Sequence, residues 1–396
     1  MSDSPAASAA LPSILLVTRN LPPLRGGMER LNQHMALELK QQFRLQVVGP
    51  LGCRAALPDS IEVHEIPVHP LWRFLLHALF RGLWSALRHR PRIVLAGSGL
   101  TAPIAVLAAR MVGGRSVVYA HGLDLAVNHR LYRAVWLPFL RRCDWCLVNS
   151  RHTAQLAMKA GLDANRISII HPGVTLPEST SLSDGADFRR THGLADSKVL
   201  LSVGRLTARK GLLEFVREGL HQVVKSHPEA ILLVIGDEAP DALNGVGTGG
   251  SGRIMSCARE LGLEGHLRML GACSDDTLSA AYAAADLCIF PLRDIPGDVE
   301  GFGMVAIEAA AHGLPTVAFR VGGVVDAIAD GRSGWLVPPG NYPMMAERIS
   351  QVLSAGRSAE VRRQAQDFAE GFDWRHFGSR LRERMSELLV RKVTRQ

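Results

Sequence analysis

Cysteine, clustered acid and long apolar runs are all scarce in this chain of 396 residues. Six cysteines spread over such a length do not form a disulfide framework. The longest apolar stretch, residues 93–109, contains Gly97, Ser98, Gly99 and Pro103. It is too short and too interrupted to cross a bilayer. No basic residue precedes the first apolar run near residue 13, which makes a poor secretion signal, so a cytoplasmic location is expected. Hydrophobic residues make up 47% and charged residues 21%, which excludes disorder and collagen-like fibres. A length of 396 residues suggests two domains.

Acid is missing in a particular place. Between Ile66 and Leu123 there is no carboxylate, while Arg73, Arg81, Arg88, Arg90, Arg92, Arg110 and Arg115 fall inside. Residues 1–180 hold 20 Lys and Arg against 10 Asp and Glu, a balance of +10; the remainder holds 25 against 27, a balance of −2. One-sided charge of this kind points to an anionic partner: nucleic acid, an acidic membrane surface or a charged substrate. A nucleic-acid binder would interleave aromatics with its basic residues on a recognisable module, and none is present.

Short apolar runs alternate with helical patterns throughout, the signature of parallel α/β sheets. In the first half strands are predicted at residues 13–18, 45–49, 92–96, 117–120, 146–149 and 167–170, with a first helix over residues 28–41. Residues 172–195 turn rich in Pro, Ser, Gly and Asp without apolar period and read as a linker. A second series follows at residues 198–203, 230–236, 267–270, 287–291 and 316–319. Residues 373–393 read as one amphipathic helix with Leu381, Met385, Leu388 and Leu389 on a common side. The expected division is residues 1–175, a linker at 176–195, residues 196–372 and a terminal helix at 373–396 that returns to the first domain. In open parallel sheets ligands bind where strands end, so a cleft between two such domains suits the joining of two substrates.

Three loops carry candidate chemistry. Gly26 and Gly27 lie between the first strand and first helix, where backbone can approach a phosphate at the helix start; a plain tight turn would look the same. No glycines follow at the dinucleotide spacing, which disfavours NAD. Arg205 and Lys210 flank the loop after the strand at 198–203, either converging on an anion or forming a solvated basic loop. Glu300 and Glu308, with seven residues between them, bracket a glycine-flanked helix start. Amides of residues 302–304 can donate there to hydroxyls or phosphate, and the carboxylates can accept from vicinal diols. Cys143 and Cys146 form a lone CxxC with no second pair, and they read as packing residues along with Cys53, Cys257, Cys273 and Cys288.

The segment around Glu300 and Glu308 resembles the E-x7-E motif of the retaining, metal-independent family 4 glycosyltransferases. Residues 26–30 (GGMER), 120–122 (AHG), 149–150 (NS), 171–174 (HPGV) and 204–211 (GRLTARKG) fall in that family's order, so the resemblance runs from Ile14 to about Phe377. It implies a GT-B fold, two Rossmann-like α/β domains facing each other across a cleft. It further implies a hexosyltransferase using a UDP- or GDP-linked sugar. Glu308 would hold the ribose diol. Glu300, with Gly301, Phe302, Gly303 and Met304, would hold the donor sugar. Arg205 and Lys210 would neutralise the diphosphate. Gly27, with Gly26, would meet the distal phosphate, and His121 would lie beside the transferred sugar. Asp124 is a candidate acceptor contact. No Asp-x-Asp occurs in the sequence, so neither metal nor other cofactor is expected and fixed cations would stabilise the leaving group. Same-fold alternatives are a nucleotide-sugar 2-epimerase and a nucleotide-binding protein without catalysis.

On the acceptor side, residues 71–92 combine Trp72, Trp84 and a row of apolar residues with Arg73, Arg81 and Arg88 and no acid. Such a helix suits an anionic bilayer surface, with a lipid-linked or cell-envelope glycan as acceptor and a peripheral position on the inner face of the cytoplasmic membrane. The competing reading is a helix packed on its own domain. The sequence specifies neither base, sugar and linkage nor oligomeric state.

Overall fold

The computed structural model describes residues 11–177, 181–238 and 250–390. The chain divides into two units. One consists of Met1–Asn149, Thr153–Ile170 and Arg375–Gln396; the other of Ser150–His152 and His171–Trp374.

The first unit holds seven parallel strands: β1 (Ser13–Val17), β2 (Arg44–Pro50), β3 (Glu62–Ile66), β4 (Ile93–Ala96), β5 (Arg115–Ala120), β6 (Trp145–Val148) and β7 (Ile167–Ile169). Their order is β3-β2-β1-β4-β5-β6-β7. The inner strands are apolar on both faces because helices cover both sides, so runs such as SILLV and IVLA show no alternation. Ile14 stands opposite both Leu45 and Ile93, which fixes the register at the sheet centre. The strand order reverses direction between β1 and β4, and the loops leaving their ends face the same edge.

The helix Leu71–His89 covers part of this sheet with Phe74, Ala78, Gly82 and Ala86, spaced four apart along one stripe. The terminal helix Trp374–Val390 buries Phe377, Leu381, Met385 and Leu388, while Leu389 is half-buried. The end of this helix expected near residue 393 lies outside the described residues.

The second unit has six parallel strands: β8 (Lys198–Val203), β9 (Ala230–Ile235), β10 (Leu267–Gly271), β11 (Leu287–Phe290), β12 (Thr316–Phe319) and β13 (Gly334–Val337), in the order β10-β9-β8-β11-β12-β13. Here the reversal lies between β8 and β11, paired through Leu200–Leu287 and Leu201–Cys288. Both sheets therefore have the doubly wound form in which a ligand crevice opens at the switch between central strands.

The structure corrects three sequence-based expectations. Strands β3 and β13 were not predicted; each is the outermost strand of its sheet. The first, EVHEI, carries polar residues at an exposed edge, and the second has only four residues. The segment read as a linker contains the helix Ser181–Thr191. Phe188 of this helix is buried in a core with Leu194 and Tyr282. Gly185, which suggested a break, is what permits close approach: a Cβ there would stand 2.9 Å from the Ala283 carbonyl carbon. Arg189 completes the attachment, pairing with Asp286 at 2.6 Å and donating to the Ala284 carbonyl oxygen at 2.7 Å. Replacing Phe188 by Ala should lower unfolding free energy by about 3 kcal/mol in a denaturant titration. A loss under about 1 kcal/mol would mean that the helix is a surface connector after all.

Candidate functional site

In the second unit, β8 and β11 end side by side, and their loops carry Arg205, Arg209 and Lys210 on one and Glu300 on the other. The sequence places four ionised side chains there within a small volume. Lys210 Nζ donates to Glu300 Oε2 at 2.8 Å, and Arg209 Nη1 donates to the same oxygen at 3.1 Å. Arg209 also donates to the Val299 carbonyl oxygen at 2.8 Å and its Nε lies 3.2 Å from Asp298 Oδ1. The Lys210 ammonium sits over the Phe290 ring, 4.5 Å from its centroid. Burial alone would raise the Glu300 carboxyl, but Lys210 and Arg209 outweigh it and hold the group at about 2. Burial pulls the Lys210 ammonium below its usual value; Glu300 opposes this, whereas Arg209 and Arg205 add to it.

Arg205 differs from its neighbours. It is exposed, and its side chain makes no hydrogen bond or ion pair with any described residue. The loop thus presents one uncommitted guanidinium beside a satisfied cation–carboxylate cluster, an arrangement that can accept an anion.

After Glu300 the chain turns through Gly301, Phe302 and Gly303 into the helix Met304–Ala311. Gly303 caps that helix with φ 101, and Glu308 is its fifth residue. The turn is clamped from below. Gly323 donates its amide to the Glu300 carbonyl oxygen at 2.8 Å, and a Cβ on Gly323 would fall 1.9 Å from the Gly301 carbonyl oxygen. Phe302 is buried, stacked on His171 with ring centroids 5.5 Å apart. Its side chain therefore packs in the core of this unit. Glu308 Oε2 accepts from the Tyr282 hydroxyl at 3.1 Å, and Tyr282 in turn stacks on His312 at 5.0 Å.

Sequence reasoning missed Arg209, Asp298 and Tyr282. Arg209 adjoins Lys210 in a basic loop, and nothing in the order of residues separates the cation that binds Glu300 from the one that stays free. Tyr282 lies 26 positions before Glu308, on another helix.

In the first unit, Gly26 and Gly27 are exposed at the start of the helix Gly27–Leu39, with Asn20 donating to Glu29 at 2.7 Å across the turn. His121 is buried at the end of β5. Its Nε2 lies 2.8 Å from the Gly97 carbonyl oxygen, which can only accept, so this nitrogen donates. The His121 amide donates to Asp124 Oδ2 at 3.0 Å, and Asn149 donates to the His121 carbonyl oxygen at 3.3 Å. These contacts bring His121, Asp124 and Gly97 together at the sheet's strand ends.

Trp72, Arg73, Arg81, Trp84 and Arg88 are all exposed on the helix Leu71–His89. Arg73 and Arg88 lie over the rings of Trp72 and Trp84, at 5.1 and 5.5 Å from their centroids. Cys143 and Cys146 are buried and unbridged, and burial pushes the Cys146 thiol up to about 12. Among the described residues no group of three or more His, Cys, Asp or Glu is placed to hold a metal ion, and no helix is long and apolar enough to cross a membrane.

Comparison with known proteins agrees with this geometry unit by unit. The model described as Glycosyltransferase Family 4 matches residues 25–177, and that described as Glycosyl transferases group 1 matches residues 185–370. The GDP-mannose-dependent alpha-(1-6)-phosphatidylinositol monomannoside mannosyltransferase of Mycolicibacterium smegmatis is 27% identical over 94% of this chain and 98% of its own. The D-inositol 3-phosphate glycosyltransferase of Mycobacteroides abscessus is 34% identical over 58% of this chain, which spans 49% of that relative's length. Among solved structures, Anabaena HepE in complex with UDP-glucose superposes with a TM-score of 0.77 at 20% identity, covering 95% of this chain and 99% of that one. Sucrose-phosphate synthase from Thermosynechococcus elongatus gives 0.77 at 20% identity over 96% and 99%. With one family model on each unit, two doubly wound sheets and the glutamate pair at the second switch point, the chain is a family 4 glycosyltransferase of GT-B fold.

Proposed function

We propose that the enzyme moves a hexose from a nucleoside diphosphate sugar to a lipid-linked or cell-envelope glycan, with retention at the anomeric carbon and without a metal ion. The observation that carries this reading is the loop pair at the ends of β8 and β11, where Lys210 and Arg209 neutralise Glu300 and leave Arg205 uncommitted. A sugar diphosphate needs fixed positive charge where its leaving group departs, and preorganised cations supply it without reorganisation. That supports diphosphate binding by Arg205 and Lys210. Glu308, oriented by the Tyr282 hydroxyl, would accept from the ribose diol. Glu300 and the amides of Gly301, Phe302, Gly303 and Met304 would hold the sugar.

His121 would contact a sugar hydroxyl through Nδ1, and Gly26 and Gly27 would donate backbone amides to the distal phosphate. In the reaction the bond from the anomeric carbon to the phosphate oxygen breaks and the bond to the acceptor oxygen forms on the same face. The departing phosphate takes the acceptor's proton. The relative named as GDP-mannose-dependent and the neighbour solved with UDP-glucose support a nucleoside diphosphate donor of either base.

The acceptor reading rests on the helix Leu71–His89. Its inner stripe is buried, yet Trp72, Phe80 and Leu87 are 58%, 68% and 59% exposed beside Arg73, Arg81 and Arg88. Packing explains the first face and not the second. Apolar side chains ringed by arginines, with no acid on the helix, suit peripheral contact with an anionic bilayer on its cytoplasmic side, each arginine adding roughly 1 kcal/mol there.

Three measurements test these assignments. Arg205→Ala should reduce kcat/KM by about 10² to 10³ with the best donor, while a chelator leaves the wild-type rate unchanged; near-normal turnover in the variant, or inactivation by the chelator, contradicts the electrostatic account. Glu308→Ala should weaken nucleoside diphosphate affinity about tenfold in calorimetry, and an unchanged affinity removes the ribose role. Arg81→Glu combined with Arg88→Glu should release the protein from phosphatidylserine-containing vesicles in sedimentation. Undiminished co-sedimentation leaves the helix with packing alone.

A further inference from the structure

The second unit has another cavity, at the opposite end of its sheet from the Glu300 cluster. It measures about 190 Å³ and is bounded by Asp286 ahead of β11, by Leu314 and Pro315 ahead of β12, by Trp335 of β13, and by the helices Tyr342–Ala355 and Ala359–Glu370. A closed apolar cavity of about 150 Å³ already admits benzene, so this one is large enough for a ring.

Its lining combines two kinds of surface. Leu314, Pro315, Val352 and Val361 are apolar, and Trp335 adds an aromatic wall. Against them stand three arginines, Arg348, Arg357 and Arg362, with Asp286. The single carboxylate is already committed. Asp286 takes Arg357 at 2.7 Å, Arg189 at 2.6 Å and the Val199 amide at 2.7 Å. Arg357 also donates to the Ala285 carbonyl oxygen at 3.1 Å. The Arg348 guanidinium lies over the Trp335 ring, 6.0 Å from its centroid.

Arg362 is half-buried and makes no side-chain hydrogen bond or ion pair with any described residue. Burial and the neighbouring Arg357 both disfavour its charge, and Asp286 offsets them only in part. A half-buried cation without a partner is costly in an apolar recess unless an anion completes it.

We propose that this cavity binds a small anion carrying a flat apolar body, of the aryl phosphate or aryl carboxylate class, at a site separate from the sugar-donor site. The ring would lie between Trp335 and the Val352–Val361 wall, and the oxyanion would meet Arg362 and Arg348. Guanidinium forks suit a planar or tetrahedral oxyanion, and the aromatic wall explains why a bare ion would not suffice.

Phenyl phosphate is the test ligand, titrated into the full-length protein by ligand-observed NMR. Saturable binding is expected, undisturbed by UDP or GDP at saturation. Phenol and inorganic phosphate should each bind more weakly. Arg362→Gln should weaken phenyl phosphate about tenfold or more, and Val352→Trp, which fills the recess, should abolish it. Arg348→Ala, an exposed position, gives the same direction of change if Arg362→Gln does not fold. Absence of saturable binding overturns the proposal. So does displacement by the nucleotide, an affinity unchanged in all three variants, or inorganic phosphate binding as tightly as phenyl phosphate. Nucleotide affinity measured alongside reports on the donor site independently.

Discussion

Glu300 is a carboxylate removed from water, and the second unit is organised around what makes that tolerable. An unpaired buried carboxylate would carry a penalty of several kcal/mol. Lys210 and Arg209 both donate to its Oε2, so the loop after β11 depends on the loop after β8. The backbone ties the same two loops together: Arg293 donates its amide to the Arg209 carbonyl oxygen at 2.8 Å. Their ends are adjacent only because β8 and β11 pair directly at the switch in strand order. Strand pairing, ion cluster and ligand-facing turn are therefore one cooperative arrangement rather than three features.

This cluster also explains why the two cations singled out in the sequence behave differently. Lys210 is half-buried between Glu300 and the Phe290 ring, where its charge is paired. Arg205 stands five positions earlier in the same loop and makes no side-chain hydrogen bond or ion pair with any described residue. A carboxylate held at about 2 stays ionised at any physiological pH, so Glu300 acts as a permanent acceptor and not as a proton carrier.

How much of this was legible beforehand depended on burial. Inner strands such as residues 14–17 and 230–235 announce themselves because both faces are covered and every position must be apolar. The edge strands β3 and β13 escape that requirement, and so gave no comparable signal. The helix Ser181–Thr191 was hidden for a related reason: among its described side chains, one phenylalanine, one close-packed glycine and an arginine ion pair hold it, none of which repeats with helical period. At the site, glycine-flanked glutamates were visible because their spacing is local. Arg209 and Tyr282 were not, since their roles arise only when distant loops and helices meet. The helix Leu71–His89 allowed two readings in the sequence because it has two faces, a stripe of Phe74, Ala78, Gly82 and Ala86 inside and tryptophans with arginines exposed.

The two ends of the second sheet make an instructive pair. β11 has four residues, so about 13 Å of strand separates the Glu300 loop from Asp286. At each end one half-buried acid gathers two cations: Lys210 and Arg209 on Glu300, Arg189 and Arg357 on Asp286. At each end a further arginine makes no side-chain hydrogen bond or ion pair with any described residue, Arg205 at one and Arg362 at the other. An acid that gathers two cations leaves net positive charge around it, and any additional arginine only adds to that excess. Stability alone gives no reason to keep such a residue, because removing it would relieve repulsion from its neighbours. A ligand bearing negative charge does give a reason, and it applies to Arg362 on the same grounds as to Arg205.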